Sequence, residues 1–135
     1  MTSKIIYKGE LRTEAVHLQS GTQIETDAPT DNHGKGERFS PTDLVATALG
    51  SCMISIMGIY AQTHNLNIEG SACEITKIMA ANPRRIAEVV VKLTMKGQDS
   101  FSEKDKISME RAAMTCPVFL TLHEDVKKSV EFVWP

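Results

Sequence analysis

The fold of this chain is decided by residues 39–63, FSPTDLVATALGSCMISIMGIYAQT. Ser40, Pro41 and Asp43 form a strong helix start: serine caps free backbone N–H groups, proline suits the first helical position, and a carboxylate complements the positive end of the helix dipole. From about residue 42 to 63 the side chains are apolar almost all round, which predicts a central helix covered on every side. A chain of 135 residues has few other residues with which to cover such a helix on every side. We therefore expect a dimer to bury the helix.

The segments on either side of this helix have the pattern of short strands. Residues 3–27 contain brief apolar runs separated by turn residues, which predicts two or three strands. Residues 27–40 are rich in Asp, Asn, Gly and Pro and predict an unusually long loop, of the kind that often carries function. Two further strands are expected over 65–80 and 84–96, with a turn at Asn82-Pro83 between them.

The C-terminal part predicts more helix and a last strand. Ser102 is expected to cap a helix from Glu103 to about Met114. Cys116-Pro117 breaks that helix and opens a further helical turn that extends to His123. Residues 130–134 close the chain as a strand. The order of elements, without internal repeats, predicts one α+β domain over residues 1–135.

Composition excludes several classes of protein. Apolar residues make up 41% and charged residues 24% of the chain, as in ordinary soluble globular proteins. Fifteen Lys and Arg against seventeen Asp and Glu give a net charge of −2, which argues against nucleic acid as a partner. No run reaches the ~18 consecutive apolar residues of a membrane span, and the N-terminus lacks a signal peptide's apolar core. We therefore expect a cytoplasmic protein with no membrane partner.

The three cysteines are an odd and widely spaced set, which does not suit a disulfide scaffold. Cys52 lies in the middle of the central helix and is either a packed core thiol or a reactive one. Cys116 precedes Pro117 at an expected helix N-cap, where the helix dipole favours a thiolate and lowers its pKa. Cys73 alternates with polar residues in a strand and is expected to be structural. If Cys52 and Cys116 meet, they can form a peroxidatic and resolving pair.

A thiolate that attacks a peroxide needs a nearby cation. Arg12, in the first hairpin, and Arg38, two residues before the helix cap, are the candidates that we favour. The remaining arginines are expected to face solvent: Arg84, Arg85 and Arg111.

The histidines do not have the spacing of a helical metal site, and no Cys-x-x-Cys motif occurs, so no metal is expected. The four positions are His17, His33, His64 and His123. His123, followed by Glu124 and Asp125, could serve a thiol as a base in a hydrolase or transferase. A polar helix end is the simpler interpretation of that segment.

Two segments carry a resemblance to a known family. Residues 39–52, FSPTDLVATALGSC, and residues 112–118, AAMTCPV, resemble the two cysteine motifs of the osmotically inducible protein C and organic hydroperoxide resistance (OsmC/Ohr) family. The resemblance covers nearly the whole chain. It implies an intertwined homodimer whose central helices are wrapped by antiparallel sheets from both subunits. It also implies a thiol-dependent peroxidase with Cys52 peroxidatic and Cys116 resolving.

The chain departs from the family pattern at the start of the central helix. The family's peroxidases carry a Glu directly after the helix-start proline, where it orients an active-site arginine, whereas this chain has Thr42. Asp43 follows and Glu37 precedes this position. Asp43 lies roughly 13 Å from Cys52 along a straight helix, so it can act only through an arginine, a helix break near Gly50 or a partner subunit. The family's arginine lies in the N-terminal hairpin, which makes Arg12 the nearest match and Arg38 the alternative.

We therefore predict a homodimeric peroxidase that protects against oxidative stress, reduces organic hydroperoxides and accepts hydrogen peroxide as a second substrate. It needs no bound cofactor and is reset by an external dithiol or the protein that carries it. The apolar neighbours of Cys52 favour bulky organic peroxides. The alternative is a non-catalytic dimer that binds an apolar small molecule, an interpretation favoured by Thr42. A Cys-His hydrolase that uses His123 is the third hypothesis.

Overall fold

The computed structural model describes residues 1–135 and contains two three-stranded sheets and three α-helices. This composition of elements confirms the predicted α+β class. The chain divides into two units, Met1–Val45 and Ala46–Pro135, which are described separately.

The N-terminal unit holds an antiparallel sheet of three consecutive strands, β1 (Ser3–Gly9), β2 (Arg12–His17) and β3 (Gln23–Asp27). Glu10 and Leu11 form the β1–β2 turn with positive φ angles of 51° and 62°, as a two-residue hairpin turn requires. The predicted short strands are confirmed. The sheet leaves large apolar side chains in solvent: Ile5 is 65% and Tyr7 63% exposed.

The long polar loop after β3 is tied to the first hairpin. The Ala28 N–H donates to the Leu11 carbonyl at 3.1 Å, and Lys35 pairs with Glu10 at 2.6 Å. Gly34 packs so closely that an added Cβ would lie 1.7 Å from the Ala28 carbonyl oxygen. Only glycine tolerates this approach, so the loop can take this path only with glycine at position 34. One short 3₁₀ turn, Thr30–Asn32, interrupts it.

The first α-helix, α1, runs from Pro41 to Thr63 and starts as predicted. Ser40 Oγ accepts from the Asp43 N–H at 3.0 Å, while Asp43 Oδ2 accepts from the Ser40 N–H at 2.9 Å. This reciprocal pair is a capping box.

Burial of α1 differs from the prediction. One face is buried and includes Leu49, Met53 and Met57, whereas Ile59 is 58% exposed. The single chain therefore covers α1 on one face only, and cover of the remaining surface by a second copy stays a prediction. An 18-residue window of α1 has a mean hydropathy of 1.8 and is 33% buried, so its length and composition also fit a membrane span. Core helices of soluble proteins pass the same test, which makes this weak evidence.

The second unit contains a sheet of β4 (Ala72–Ala80), β5 (Arg85–Thr94) and β6 (Lys127–Val133). β4 and β5 pair antiparallel around a turn at Asn82-Pro83, as predicted, and β6 lies parallel to β5. The expected strand over 65–80 starts seven residues too early, because Leu66 and Ile68 contribute apolar side chains to the core from a non-strand segment. The last strand starts at Lys127 rather than at residue 130.

Two helices complete this unit. α2 spans Glu103–Ala113, and Ser102 caps it by accepting from the Asp105 N–H at 3.1 Å, as predicted. α3 spans Pro117–Thr121 and ends before His123, so the predicted turn is two residues too long. The core is formed by completely buried apolar side chains from α1, β5 and α2: Leu49, Met53, Met57, Val89, Val91, Leu93 and Met109.

Candidate functional site: two neighbouring thiols

Cys116 is the N-cap of α3, as the sequence predicts. Its Sγ accepts a hydrogen bond from the Phe119 N–H at 3.3 Å, and Pro117 occupies the first helical position. The side chain is completely buried. Burial raises the pKa of the Cys116 thiol by more than the backbone N–H of Phe119 lowers it. The helix start lowers this pKa as expected, but the net shift is upward, because a buried sulfur loses more hydration than one short helix returns.

Cys52 lies in α1, half-buried against the same core. After burial, the neighbouring Cys52 thiol is a further cause that raises the pKa of Cys116. The fold thus brings together two thiols that are 64 positions apart in the sequence (116 minus 52), and both are free cysteines. Such a pair can close a disulfide when one sulfur is oxidised.

Cys73, the third cysteine, packs on a different side of α1. An added Cβ at Gly50 would lie 2.7 Å from Cys73 Sγ. Gly50 and Cys52 are two residues apart, and residues at that spacing do not share a helix face. Burial raises the pKa of the Cys73 thiol. These features favour the predicted structural role for Cys73.

The surroundings of the thiol pair are mainly apolar. Phe119 and Val118 of α3 pack against the core that holds Cys116 and Met53. The Lys128 ammonium lies 5.2 Å from the centroid of the Phe119 ring, within the range of a cation–π contact. An apolar substrate would find complementary contacts here.

His123 does not act on either thiol in this arrangement. It is exposed, its Nδ1 accepts from the Asp125 N–H at 3.1 Å, and Asp125 Oδ2 lies 3.5 Å away. A thiol hydrolase needs its base within hydrogen-bond reach of the sulfur. The Cys-His hydrolase hypothesis therefore has no geometric support. No group of three or more potential metal ligands lies together.

In the N-terminal unit, Arg12 is held by two carboxylates. Its Nε and Nη2 donate to Asp27 Oδ1 and Oδ2, each at 2.8 Å, and Nη2 also donates to Glu37 Oε2 at 2.9 Å. Asp27 is completely buried. The hydrogen bonds from Arg12 lower the pKa of Asp27, which keeps the carboxylate ionised. The result is a fork-to-fork ion pair of fixed geometry.

Sequence reasoning missed Asp27, although a signal was present. Arg12 begins β2 and Asp27 ends β3, and the two are direct cross-strand partners in the antiparallel register. Opposite charges at such positions stabilise a strand pair. Correct pairing of the two predicted strands would have placed Asp27 beside Arg12.

The other two predicted site residues have different partners. Arg38 is exposed and donates from Nε to Glu25 Oε2 at 2.7 Å and from Nη1 to the Glu37 carbonyl at 3.1 Å. Asp43 uses Oδ2 to cap α1. The carboxylates that bind Arg12 are those of Asp27 and Glu37 and not that of Asp43. Asp43 therefore has a helix-start role that accounts for its presence.

Comparison with solved structures supports the family resemblance. A Psychrobacter arcticus 273-4 protein, provisionally described as an osmotic stress induced and detoxification response protein, is 48% identical with a TM-score of 0.93, covering 98% of this chain and 95% of its own. An organic hydroperoxide resistance protein OsmC from Legionella pneumophila is 14% identical with a TM-score of 0.75, covering 98% and 97%. An organic hydroperoxide resistance protein from Elizabethkingia anophelis is 13% identical with a TM-score of 0.69, covering 100% and 97%.

The likenesses to the Legionella pneumophila and Elizabethkingia anophelis proteins show the fold alone. No curated protein matches the chain. The family model for OsmC-like proteins matches residues 34–131, a range that includes α1, Cys52 and Cys116. The chain belongs to the OsmC-like protein family.

Proposed function

We propose that the protein is a thiol peroxidase that reduces organic hydroperoxides with Cys52 and Cys116. The observation that carries this proposal is the interaction between the two thiols in an apolar core. Relatives of the same fold are named organic hydroperoxide resistance proteins, which agrees with this substrate class and with a role in oxidative-stress defence.

In the first step, the Cys52 thiolate attacks the distal oxygen of the hydroperoxide. The O–O bond breaks, the alkoxide takes up a proton and leaves as an alcohol, and Cys52 becomes a sulfenic acid. With hydrogen peroxide, water leaves instead. The peroxide has then gained two electrons and the sulfur has lost two.

In the second step, the Cys116 sulfur attacks the Cys52 sulfur. The S–S bond forms as the S–O bond breaks, and the hydroxide leaves as water with the Cys116 proton. The raised pKa of Cys116 suits this order, because it keeps Cys116 a thiol until the sulfenic acid is present. An external dithiol, free or on a carrier protein, then reduces the disulfide, so no bound cofactor is required.

The proposal assigns the cation for the Cys52 thiolate to Arg12 rather than to Arg38. Arg12 is anchored by a buried carboxylate, whereas the partner of Arg38, Glu25, has 38% of its side chain exposed. Contacts with Asp27 and Glu37 use Nε and Nη2 of Arg12 and leave Nη1 for a further acceptor. A preorganised cation stabilises charge better than a mobile one.

The proposal also includes a homodimer in the cytoplasm, intertwined so that central helices are wrapped by sheets of both subunits. Large apolar side chains remain exposed on the first sheet and on α1 in the single chain: Ile5, Tyr7, Ile24, Val45 and Ile59. Clusters of such residues mark association surfaces. A second copy would supply the cover that the single chain does not give to α1.

A coupled assay tests the proposed activity. Purified protein is mixed with cumene hydroperoxide and a small dithiol, and hydroperoxide consumption is followed. We expect turnover in the wild type and in Cys73→Ser, and none in Cys52→Ser. Equal rates in wild type and Cys52→Ser would overturn the peroxidase proposal.

A second candidate function is a dimeric module that binds an apolar small molecule without turnover. It is favoured by Thr42, which replaces a carboxylate at the helix start, and by the use of Asp43 in the helix cap. Such a module predicts ligand-dependent thermal stabilisation with no consumption of hydroperoxide. Stabilisation by a hydroperoxide-like alcohol in a protein that shows no turnover would favour this candidate.

A further inference from the structure

Lys128 is a lysine at a core-facing position of β6. Side chains alternate between the two faces of a strand, and Val130 and Phe132, two and four positions further on, pack against the core. Lys128 shares their face, is half-buried and has the completely buried Val89 of β5 as its partner in the parallel register. An apolar residue suits such a position better, because burying part of a lysine costs free energy unless the ammonium has partners.

Two contacts of the Lys128 ammonium lie on one short segment of the chain, residues 119–123. Its Nζ is 5.2 Å from the centroid of the Phe119 ring, within the range of a cation–π contact. Nζ also donates a long hydrogen bond of 3.4 Å to the His123 carbonyl. Phe119 belongs to α3, and His123 follows the end of that helix. A residue of β6 thus holds α3 by a ring and by the backbone that comes after it.

α3 is too short to keep its place by itself. It has five residues, and isolated helices shorter than about 12 residues are marginal in water. Thr121 Oγ donates to the Pro117 carbonyl at 2.7 Å, but this hydrogen bond lies within the helix and does not attach it to the sheet. Contacts with other elements therefore set the position of α3, and those of Lys128 are of this kind.

The position of α3 in turn sets the position of Cys116. The Phe119 N–H that donates to Cys116 Sγ at 3.3 Å belongs to the same residue as the ring under Lys128. We propose that Lys128 is a positioning residue for Cys116 and holds its sulfur for attack on Cys52. This inference rests on the proposed function, in which that attack is the second step, and goes beyond it by naming a residue that controls the rate of the step.

The test measures closure of the disulfide without peroxide, in the full chain. Cys73→Ser is the parent protein, and the reagent is dithiodipyridine, an uncharged aromatic disulfide. Cys52 reacts first, because Cys116 is completely buried, and one thiopyridone leaves as the mixed disulfide forms. The Cys116 sulfur then attacks the Cys52 sulfur, the intramolecular S–S bond forms, and the second thiopyridone leaves. Absorbance of thiopyridone gives the rates of both phases, and Cys116→Ser, which cannot close the disulfide, identifies the first.

Lys128→Met removes the charge and the donor but keeps an unbranched side chain over Phe119. We expect the second phase to slow roughly 5- to 20-fold, because closure requires a narrow geometry of the two sulfurs. The first phase should change by less than about twofold, because Cys52 lies in α1 and not in α3. An unchanged second phase overturns the inference. Equal slowing of both phases also overturns it, since a general loss of structure would act on both.

Lys127→Met is the matched control, and Lys128→Arg is the conservative variant. Lys127 precedes Lys128 on the opposite face of β6, lies 3.5 Å from Glu88 and has 72% of its side chain exposed. Its substitution removes the same charge, and we expect parent rates in both phases. Arginine keeps a cation that can lie over the Phe119 ring, so Lys128→Arg should stay within about threefold of the parent. A second phase as slow in Lys127→Met as in Lys128→Met, or no recovery in Lys128→Arg, overturns the inference.

A double-mutant cycle tests the route through the Phe119 ring. Phe119→Leu keeps an apolar side chain and the backbone N–H that donates to Cys116, but it removes the ring. In this background Lys128→Met should slow the second phase by less than about threefold, because the contact is already lost. Equal effects of Lys128→Met in both backgrounds overturn the inference. If Lys128→Met does not fold, Phe119→Leu is judged alone: a slower second phase with an unchanged first phase supports the inference, and an unchanged second phase overturns it.

The assay also separates this inference from the proposed function. A protein that does not consume hydroperoxide, but whose second phase slows in Lys128→Met, keeps the positioning role and loses the peroxidase function. A peroxidase whose second phase does not respond to Lys128→Met keeps the function and loses the positioning role. A parent protein without any second phase overturns the inference, since Cys116 then does not reach Cys52.

Discussion

Arg12 and Asp27 face each other across β2 and β3, and two hydrogen bonds of 2.8 Å join the guanidinium to the completely buried carboxylate. The pair fixes the first sheet to the loop that leads into α1, because Asp27 also accepts from the Glu37 N–H. The contact explains why a strand ends on a buried acid, a residue that is costly to bury unless it is paired.

This pairing predicts an acid-sensitive contribution to stability. Arg12 lowers the pKa of Asp27 below its ordinary value of 3.8. The contribution is therefore fully present above pH 3.8 and is lost as the pH falls through the lower value of the folded protein. Urea unfolding of wild type and Asp27→Asn over an acid pH series measures it. We expect wild type to be more stable at neutral pH and the gap to close in acid. A gap that widens in acid contradicts this account.

Gly50 is predicted to be required by the packing of β4 on α1. A Cβ at this position would lie 2.6 Å from Ile75 Cδ1 and 2.7 Å from Cys73 Sγ. We expect Gly50→Ala to lower the free energy of unfolding by about 1–3 kcal/mol, as overpacking does. Adding Cys73→Ala should restore part of that loss.

Gly58 is the matched control for Gly50 in the same helix. A Cβ there would meet only Ile68 Cδ1, at 4.0 Å. Gly58→Ala should therefore stabilise the protein by about 0.5–1 kcal/mol, since alanine favours helix more than glycine. Chemical denaturation compares the two variants. Equal effects of the two substitutions would contradict the packing argument.

Cys116 is predicted to act as a helix cap as well as a thiol. Its Sγ accepts from the Phe119 N–H, and the hydroxyl of Cys116→Ser retains an acceptor that the methyl group of Cys116→Ala does not. Loss of an N-cap costs about 1 kcal/mol. Hydrogen exchange at the Phe119 amide should be roughly fivefold faster in Cys116→Ala than in Cys116→Ser. Identical exchange in both variants would show that the sulfur does not cap α3.

The elements with strong local signals could be predicted from sequence. Ser40, Asp43 and Ser102 mark helix starts through their own side chains, and Pro117 marks α3, so these boundaries agree with the structure. The start of β4 could not be predicted, because Leu66 and Ile68 are apolar for packing and not for strand formation.

The candidate site was predictable only in part. The positions of Cys52 and Cys116 follow from local motifs, but their interaction depends on how α1 and α3 pack, which spacing along the chain does not give. The pKa of Cys116 also depends on this packing, since burial outweighs the helix start. The pairing of Asp27 with Arg12 depends on strand register, a non-local property. Sequence patterns thus located the two thiols better than the residues that surround them.

The most direct test of the central claim is mass spectrometry before and after one equivalent of cumene hydroperoxide, with peptide mapping of any disulfide. We expect a rapid mass loss of two hydrogens that maps to Cys52 and Cys116, and the same result in Cys73→Ser. No disulfide, or slow and scattered oxidation that includes Cys73, would contradict the two-cysteine peroxidase.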